Sequence, residues 1–412
     1  MSKKMVLPWL QSGPGADHGP RGESFEVAVI GAGVAGLIAA TILKRAGIDT
    51  VVLERRTQEE IHSLVRAGAY GPGQVAILER HGLADKMRSA GKVAGMCEFR
   101  HRRQRFVVDC EALTGHGFTI YPQHLLVGDL LAAYLDTGGA IEFAVSDVRI
   151  EDLNSDRPAV RFVAADSTER RLRCHYIAGC DGHQGVSRGF IPPGAIRSIE
   201  RTGGRWAWIA ALVGAGPSVR RTVYSVSTAG FAGQMLRDEK MTRYYLQVES
   251  NTNPEHWPED RIWTELHTRL AVDEDWTLIE GALLEPVAVV SMDTVFYDPI
   301  KFGRLLLAGD AARRIPPTAA KGASLAIADA EDLAHAVTRS LRYGDDAPLA
   351  AYSDTCLRRS WIAQDASTRL SELIHVELDN RFSRELQDAR LDRLRTSPVC
   401  AAEFADLYLS PR

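Results

Sequence analysis

Residues 26–54, EVAVIGAGVAGLIAATILKRAGIDTVVLE, decide the fold of this chain. The run EVAVIG is apolar, rich in β-branched residues and ends in glycine, which predicts a buried strand. The next residues place Ala, Leu and Ile at helical spacing and end in Lys44, Arg45 and Gly47, which predicts a helix and its stop. TVVLE at 50–54 predicts a second buried strand. Two apolar strands joined by a helix indicate a parallel βαβ unit.

Three glycines, Gly31, Gly33 and Gly36, stand in the spacing GxGxxG between the first predicted strand and the helix. The first permits a tight turn, the second lets the backbone approach a pyrophosphate, and the third lets helix and strand pack closely. The helix N-terminus then faces the negative charge. Glu54, at the end of the second strand, can accept hydrogen bonds from ribose hydroxyls. A glycine-rich turn with a solvated glutamate is the alternative, but the context favours a dinucleotide site, either NAD or FAD.

Composition excludes several classes of protein. The 412 residues allow two or three domains, and 45% hydrophobic with 25% charged residues is typical of a globular protein. A net charge of −4 gives no general attraction to nucleic acid or to an anionic membrane. The absence of any run of about 18 apolar residues predicts no membrane span. Six cysteines without a C-x-x-C pair predict no metal site and a reduced, cytoplasmic protein.

The rest of the chain predicts an α+β protein with several parts. Residues 124–138 predict an amphipathic helix, residues 198–295 are mostly strand-like, and residues after 322 are mostly helical. HYIAGCDG and RLLLAGDAA predict buried strands that run into turns. We therefore expect a flexible tail, a Rossmann-like α/β dinucleotide-binding domain in two pieces, a sheet-rich domain and a helical C-terminal region. Their expected bounds are 1–24 for the tail, 25–197 and 301–335 for the dinucleotide domain, 198–300 for the sheet-rich domain, and 336–412 for the helical region.

Two later motifs favour FAD over NAD. Cys180-Asp181-Gly182 follows one predicted strand, and Gly309-Asp310, a proline turn and a helix opening at Gly322 follow another. An aspartate at a strand end can bind a polyol hydroxyl, and a helix N-terminus can face the pyrimidine edge of a flavin, where negative charge gathers on reduction. Taken alone, each of these aspartates is more simply explained as a loop residue. The glycine motif and the two aspartate motifs in this order are a more specific signal.

Over residues 26–370 the chain resembles the FAD-dependent aromatic monooxygenases of the para-hydroxybenzoate hydroxylase family. The segments that carry the resemblance are VIGAGVAGL, GIDTVVLERRT, VRAGAYGPGQVAILERHGL, YIAGCDGHQGVSRGFIP, RYYLQVE and LLLAGDAARRIPPTAAKG. The resemblance implies the fold of that family, bound FAD, and a homodimer. It also implies an enzyme that uses NADH or NADPH and O2 to hydroxylate an electron-rich aromatic small molecule through a C4a-hydroperoxyflavin.

The resemblance also implies roles for individual residues. The residues that it assigns to FAD are Gly31, Gly33, Gly36, Glu54, Arg55, Arg66, Gln123, Asp181, Arg243, Asp310, Gly322 and Ala323. Pro317 would lie where O2 reacts, and Lys321 with the Gly322 helix start would stabilise the reduced, anionic flavin. Arg237 and Tyr245 would hold a substrate carboxylate, a group that suits a buried arginine and a tyrosine hydroxyl. The alternative for Arg237 is a solvated side chain in the polar turn LRDEK.

Departures from the family pattern concern the substrate. Met235 stands where the family has a serine that binds the carboxylate. In the family, two tyrosines and a histidine ionise a substrate phenol. The first tyrosine corresponds here to Gly203 or Gly204, the second to Phe404 or Ala405, and the histidine to Ala94. We therefore expect that relay to be absent. The pocket would then be wider and suit an already electron-rich arene, such as an indole or an intermediate of a specialised biosynthetic pathway.

The electron donor and the reaction class leave alternatives open. Gln184 and Met292 stand where the family has a histidine and an arginine that contact NADPH. Glu59 and Glu60 would repel the 2′-phosphate of NADPH, whereas Arg55 and Arg56 would attract it. The sequence therefore weakly favours NADH. The alternatives for function are a 4-hydroxybenzoate 3-monooxygenase with another proton path, a flavin-dependent dehydrogenase or reductase, and a non-catalytic FAD-binding protein. The Pro316-Pro317 turn and Lys321 argue against the last two.

Overall fold

The computed structural model describes residues 23–63, 68–202, 204–377 and 379–409. Over these residues the chain is a mixture of helices and sheets, as the sequence predicts. Arg66, Gly203 and most of the predicted N-terminal tail lie outside the described residues. The end of that expected tail, Glu23–Ser24, forms a short strand.

The secondary structure alternates between strands and helices in the first half and ends in four long or medium helices. The strands are β1 (Glu23–Ser24), β2 (Val27–Ile30), β3 (Thr50–Leu53), β4 (Ala69–Tyr70), β5 (Lys92–Ala94), β6 (Met96–His101), β7 (Gln104–Asp109), β8 (Phe118–Ile120), β9 (Ala140–Glu142), β10 (Ser146–Glu151), β11 (Ala159–Val163), β12 (Glu169–Arg173), β13 (Tyr176–Gly179), β14 (Arg197–Arg201), β15 (Trp206–Val213), β16 (Thr222–Ser227), β17 (Gly230–Leu236), β18 (Thr242–Glu249), β19 (Ala288–Ser291), β20 (Thr294–Asp298), β21 (Lys301–Phe302), β22 (Leu305–Leu307) and β23 (Arg313–Arg314). The helices are α1 (Val34–Arg45), α2 (Gln58–Ser63), α3 (Pro72–Arg80), α4 (Asp85–Ala90), α5 (Cys110–Thr114), α6 (Gln123–Asp136), α7 (Glu259–Arg269), α8 (Gly322–Tyr343), α9 (Ala347–Ile374), α10 (Arg381–Thr396) and α11 (Pro398–Leu409).

A six-stranded sheet in the order β21-β22-β13-β2-β3-β9 forms the first core. Five of its strands are parallel, and β21 pairs antiparallel with β22. Its central strands are apolar and fully buried, because helices cover both faces of a parallel sheet. The glycine turn after β2, the aspartate turn after β13 and the Gly-Asp turn after β22 therefore leave the sheet at the same carboxyl edge. Ligands of open α/β sheets bind at this edge.

A seven-stranded sheet in the order β19-β15-β18-β17-β16-β6-β7 forms the second core. It takes β6 and β7 from residues 96–109, which lie within the range expected for the dinucleotide domain rather than in 198–300. One face packs against α7 through Ile262, Trp263 and Leu266. The opposite face packs against the C-terminal helices α9, α10 and α11. These helices therefore close the second face of the sheet from solvent.

Three smaller sheets complete the described part: β1-β12-β11-β10, β14-β20-β23 and β4-β8-β5. None of the helices that the structure describes is long and apolar enough to cross a membrane.

Candidate active site

The glycine turn between β2 and α1 is held by close packing. Gly31 has a φ of +104°, and a Cβ at this position would lie 2.5 Å from the carbonyl oxygen of Cys180. A Cβ at Gly36 would lie 1.9 Å from the carbonyl oxygen of Gly31. Gly33 faces open space, and no described side chain caps the N-terminus of α1. The turn therefore presents free backbone N–H groups, which is the arrangement that binds a phosphate.

Glu54 borders a small cavity of about 80 Å³ beside this turn. Its carboxylate is buried and accepts hydrogen bonds from the backbone N–H groups of Ala32 (2.7 Å) and Arg56 (2.9 Å). Each carboxylate oxygen can accept a further hydrogen bond from a ribose hydroxyl. Gln123 lines the same cavity, as does His124, whose buried Nδ1 has no hydrogen-bond partner among the described residues. Of the two neighbouring arginines, Arg56 lines the cavity and Arg55 is exposed.

The aspartate turns after β13 and β22 supply acceptors at the same edge. Asp181 accepts hydrogen bonds at Oδ2 from the backbone N–H of Ser187 (2.8 Å) and from its hydroxyl (2.9 Å). Its Oδ1 is buried and has no hydrogen-bond partner within the described ranges. Asp310 is exposed in the short 3-10 turn Gly309–Ala311. A buried carboxylate oxygen without a donor fits a polyol hydroxyl that would supply one.

A buried ion pair that the sequence analysis did not identify fixes the turn after β22. Oδ2 of Asp329 accepts hydrogen bonds from the backbone N–H of Gly309 (3.0 Å) and from Arg313 (2.5 Å). Asp329 is 0% and Arg313 2% exposed. The signal in the sequence is an aspartate on the apolar face of α8, in the run LAIADAEDLAHAV, because a charge in that place needs a partner.

The proline turn leads directly into α8. Pro317–Ala319 form a 3-10 turn, and Ala320 adopts a left-handed conformation with a φ of +54°, which costs about 1 kcal/mol for a non-glycine residue. Helix α8 then begins at Gly322 and Ala323 with no acidic residue in its first turn. The positive end of the helix dipole therefore stays uncompensated there and can face a flavin that becomes anionic.

Lys321, just before this helix, turns its side chain to the C-terminal region. Its Nζ is buried and donates a hydrogen bond to the carbonyl oxygen of Tyr408 at 2.6 Å. Burial lowers the pKa of Lys321 to about 7. The residue thus links the proline turn to the last turn of α11.

Arg237 and Tyr245 lie together at the other end of the site. Arg237 is buried immediately after β17, and its Nε has no hydrogen-bond partner among residues that the structure describes. Burial lowers its pKa, and the adjacent Tyr245 hydroxyl opposes that shift. The alternative of a solvated side chain in a polar turn is therefore wrong. Arg243 lies near Arg237 and forms an ion pair with Glu285 at 2.7 Å.

Two buried tyrosines form a pair near Tyr245, because Tyr224 lies on the same face of the sheet two strands away. The hydroxyls of Tyr224 on β16 and Tyr408 on α11 are 2.8 Å apart, and burial raises the pKa of both. The sequence analysis did not identify this pair. Phe404 lies one helical turn before Tyr408 and stacks on it. Alternation in TVYSVS, which places Tyr224 on one face of its strand, was the signal that could have found it.

Comparison with known proteins decides the family. The FAD binding domain family matches residues 24–367. The p-hydroxybenzoate hydroxylase of Acinetobacter baylyi is 33% identical over 386 residues, which are 93% of this chain and 95% of that protein. The chain belongs to the FAD-dependent aromatic monooxygenases. A probable NADH-specific resorcinol 4-hydroxylase of Rhodococcus jostii is 24% identical to this monooxygenase, over 95% of the chain and 71% of that protein.

A solved structure has the same fold as this monooxygenase. The p-nitrophenol 4-monooxygenase of Pseudomonas putida superposes with a TM-score of 0.82 at 20% identity, over 95% of this chain and 100% of that structure. The para-hydroxybenzoate hydroxylase-like fold class expected from the sequence is thereby confirmed.

FAD fits the residues that this monooxygenase places along its sheet edge. The glycine turn would hold the diphosphate, Glu54 the adenosine side, Asp181 and Asp310 the ribityl chain, and the N-terminus of α8 the flavin ring. Gln123, which the resemblance assigns to the ribityl side, lines the cavity beside Glu54. These roles stay predictions, as do those of Arg55, Arg66, Arg243 and Pro317.

Proposed function

We propose that this monooxygenase hydroxylates a small phenol that carries a carboxylate, the class to which 4-hydroxybenzoate belongs, with NAD(P)H and O2. One observation carries the proposal. A buried arginine with an unpartnered Nε, Arg237, lies beside Tyr245. A buried pair of tyrosine hydroxyls, Tyr224 and Tyr408, lies two strands away on the same sheet face, and the two groups form the ends of the proposed pocket. The first end suits a carboxylate and the second a phenol.

The span between the two ends supports a single aromatic ring. Tyr245 on β18 pairs with Gly233 on β17, and Gly233 pairs with Tyr224 on β16. Neighbouring strands are about 4.8 Å apart, so the backbones of the two tyrosines are about 10 Å apart. One ring with a carboxylate at one end and a hydroxyl at the other fits between them.

The residues divide the work of the reaction. Arg237 and Tyr245 hold the carboxylate and fix the orientation of the ring. Tyr224 accepts a hydrogen bond from the substrate hydroxyl and donates its own to Tyr408, which polarises the substrate O–H bond and makes the ring more nucleophilic. The aromatic wall of Trp208, whose ring centroid is 4.7 Å from that of Tyr245, excludes water. Bound FAD, once reduced by NAD(P)H, supplies the activated oxygen.

The test is oxidation of NADH and NADPH under air by the FAD-loaded enzyme, with product analysis. The substrates are 4-hydroxybenzoate, benzoate without the hydroxyl, and phenol without the carboxylate. We expect 4-hydroxybenzoate to stimulate oxidation most and to yield a dihydroxybenzoate. Arg237→Lys should raise KM at least tenfold, because a lysine cannot reproduce the planar fork, whereas the exposed Arg220→Lys should leave KM unchanged. Stimulation only by indoles or polycyclic phenols would refute the proposal.

A larger arene is the second candidate, as the sequence suggests. The observation that favours it is Gly233, which leaves the centre of the pocket floor without a side chain of its own. We also propose NADH as the donor, since Glu59 and Glu60 are exposed on α2 just after β3 and oppose a 2′-phosphate.

The homodimer and the cytoplasmic location expected from the sequence stay proposals. All six cysteines are free thiols, which is in keeping with a reducing compartment. The molar mass of the FAD-loaded protein in solution tests the dimer.

A further inference from the structure

The floor of the proposed substrate pocket is a glycine covered from both sides. Gly233 lies on β17 directly between Tyr224 and Tyr245. A Cβ at this position would lie 2.8 Å from Cζ of Phe231 and 3.2 Å from Cε of Met235. The residues two positions before and two positions after the glycine therefore close over it on the same face of the strand. A ring that spans the two tyrosines must rest on these two side chains.

The two side chains that cover Gly233 differ in how freely they can move. Phe231 is fully buried, and its ring packs against Trp208 (5.2 Å between centroids) and Tyr224 (6.2 Å). It is held on both sides and cannot yield without moving other rings. Met235 is half-buried, unbranched and turned towards Gly233. A thioether side chain of this kind adapts to irregular space.

We propose that Met235 and Gly233 together determine substrate specificity, because Met235 moves off Gly233 to admit a ring substituent of about the size of a methyl or methoxy group. This inference rests on the proposed function, since the two anchors place the ring over Gly233. The substrate class is accordingly hydroxybenzoates that carry one further small substituent on the ring edge facing the floor. A floor made by a stiff, branched side chain in place of Gly233 and Met235 would exclude them.

The test measures binding to the FAD-loaded full chain through the change in flavin absorbance. The ligands are 4-hydroxybenzoate and its 2-methyl and 3-methyl derivatives, and selectivity is the Kd of 4-hydroxybenzoate divided by that of the better-bound methyl derivative. Met235→Ala should raise this ratio about tenfold, because a pocket that gains or loses a methylene changes affinity by about that factor or more. Gly233→Ala should lower it about tenfold, because its Cβ presses on Phe231 and Met235.

Matched variants separate specificity from folding. Met235→Leu keeps the volume but is branched, so it should lower the ratio about threefold. Met96→Ala, at an exposed position on β6, should leave the ratio within twofold. If Met235→Ala also leaves the ratio within twofold, the inference is wrong even though the function stands. If the wild type binds none of the three acids, both the function and the inference fail.

Discussion

At the scale of single residues, two buried polar groups show where the chemistry of the site is concentrated. Tyr224 and Tyr408 are each the partner of the other, so neither hydroxyl is left unsatisfied in an apolar core that would penalise it. Lys321 likewise donates a hydrogen bond from its buried Nζ to the carbonyl oxygen of Tyr408. Both contacts involve Tyr408 in the last turn of α11. This turn therefore contributes directly to the site, although it lies far along the chain from the other site residues.

Replacing Tyr408 by Phe should lower kcat by about 10²-fold, because Tyr224 loses its hydrogen-bond partner and polarises the substrate phenol less. KM for 4-hydroxybenzoate should change less than threefold, since Arg237 and Tyr245 stay in place. Raising the pH should restore part of kcat, because the phenol then ionises without help. Steady-state kinetics from pH 6 to 9 check this, with the exposed Tyr343→Phe as control. An unchanged kcat in Tyr408→Phe would show that the pair has only a structural role.

Lys321 should make stability depend on pH. Its pKa is about 7 in the folded state and near 10.5 when exposed, so between these values the unfolded chain binds more protons. The stability of the wild type should therefore rise with pH from about 7 to 10. Lys321→Met lacks this dependence, and its advantage in unfolding free energy, roughly a few kcal/mol at pH 6.5, should shrink by pH 9.5. Urea unfolding at both pH values tests this. The exposed Lys240→Met should show a constant difference from the wild type.

At the scale of elements, helix α8 fixes two turns at once. Its N-terminus follows the proline turn, and Asp329 on its buried face holds the turn after β22 through Gly309 and Arg313. An aspartate placed inside a helix thus positions a loop that comes before that helix in the chain. The geometry of the predicted ribityl site, where Asp310 lies, depends on this contact.

Asp329→Asn should destabilise the protein by about 3–5 kcal/mol, because it leaves the buried guanidinium of Arg313 without a countercharge. FAD affinity should fall as well as stability, because the Gly309–Ala311 turn loses the hydrogen bond that holds it. Thermal unfolding and FAD titration measure the two effects. Asp345→Asn, just after the same helix, is the control, because Asp345 pairs with Arg339 at a partly exposed position. Equal FAD affinity in both variants would contradict the role of Asp329.

At the scale of the whole molecule, the two sheets have separate cores and meet at the site. The parallel sheet packs with α1, α6 and α8, whereas the seven-stranded sheet depends on α9, α10 and α11 to cover its second face. The predicted FAD residues belong mainly to the first core, and the substrate residues to the second. Binding of cofactor and turnover of substrate should therefore be separable.

Ending the chain after residue 397, which removes α11, should separate cofactor binding from substrate turnover. We expect the shortened protein to bind FAD and to oxidise NADH slowly, but to form no hydroxylated product, because Tyr408 is gone and water reaches the sheet face. Flavin absorbance, NADH oxidation and product analysis check this. A chain ended after residue 409 serves as the control. Hydroxylation by the shorter protein would refute the role of α11.

The sequence determined the dinucleotide fold because its signals are local. The βαβ unit, the glycine turn and the helix at 123–136 follow from periodicity and from the steric needs of glycine, which act over a few residues. The order of the three turns then predicted one ligand edge, because parallel strands end on the same side of a sheet.

Only the tertiary structure decided the substrate end. Tyr224 and Tyr408 are 184 residues apart, and their contact exists because α11 packs on the face of a sheet whose strands come from two parts of the chain. Asp329 reaches Gly309 across a turn, and Tyr245 lies beside Gly233 because neighbouring strands pair the two residues on one face. Contacts of this kind depend on how elements pack rather than on what each segment prefers, so no local pattern specifies them.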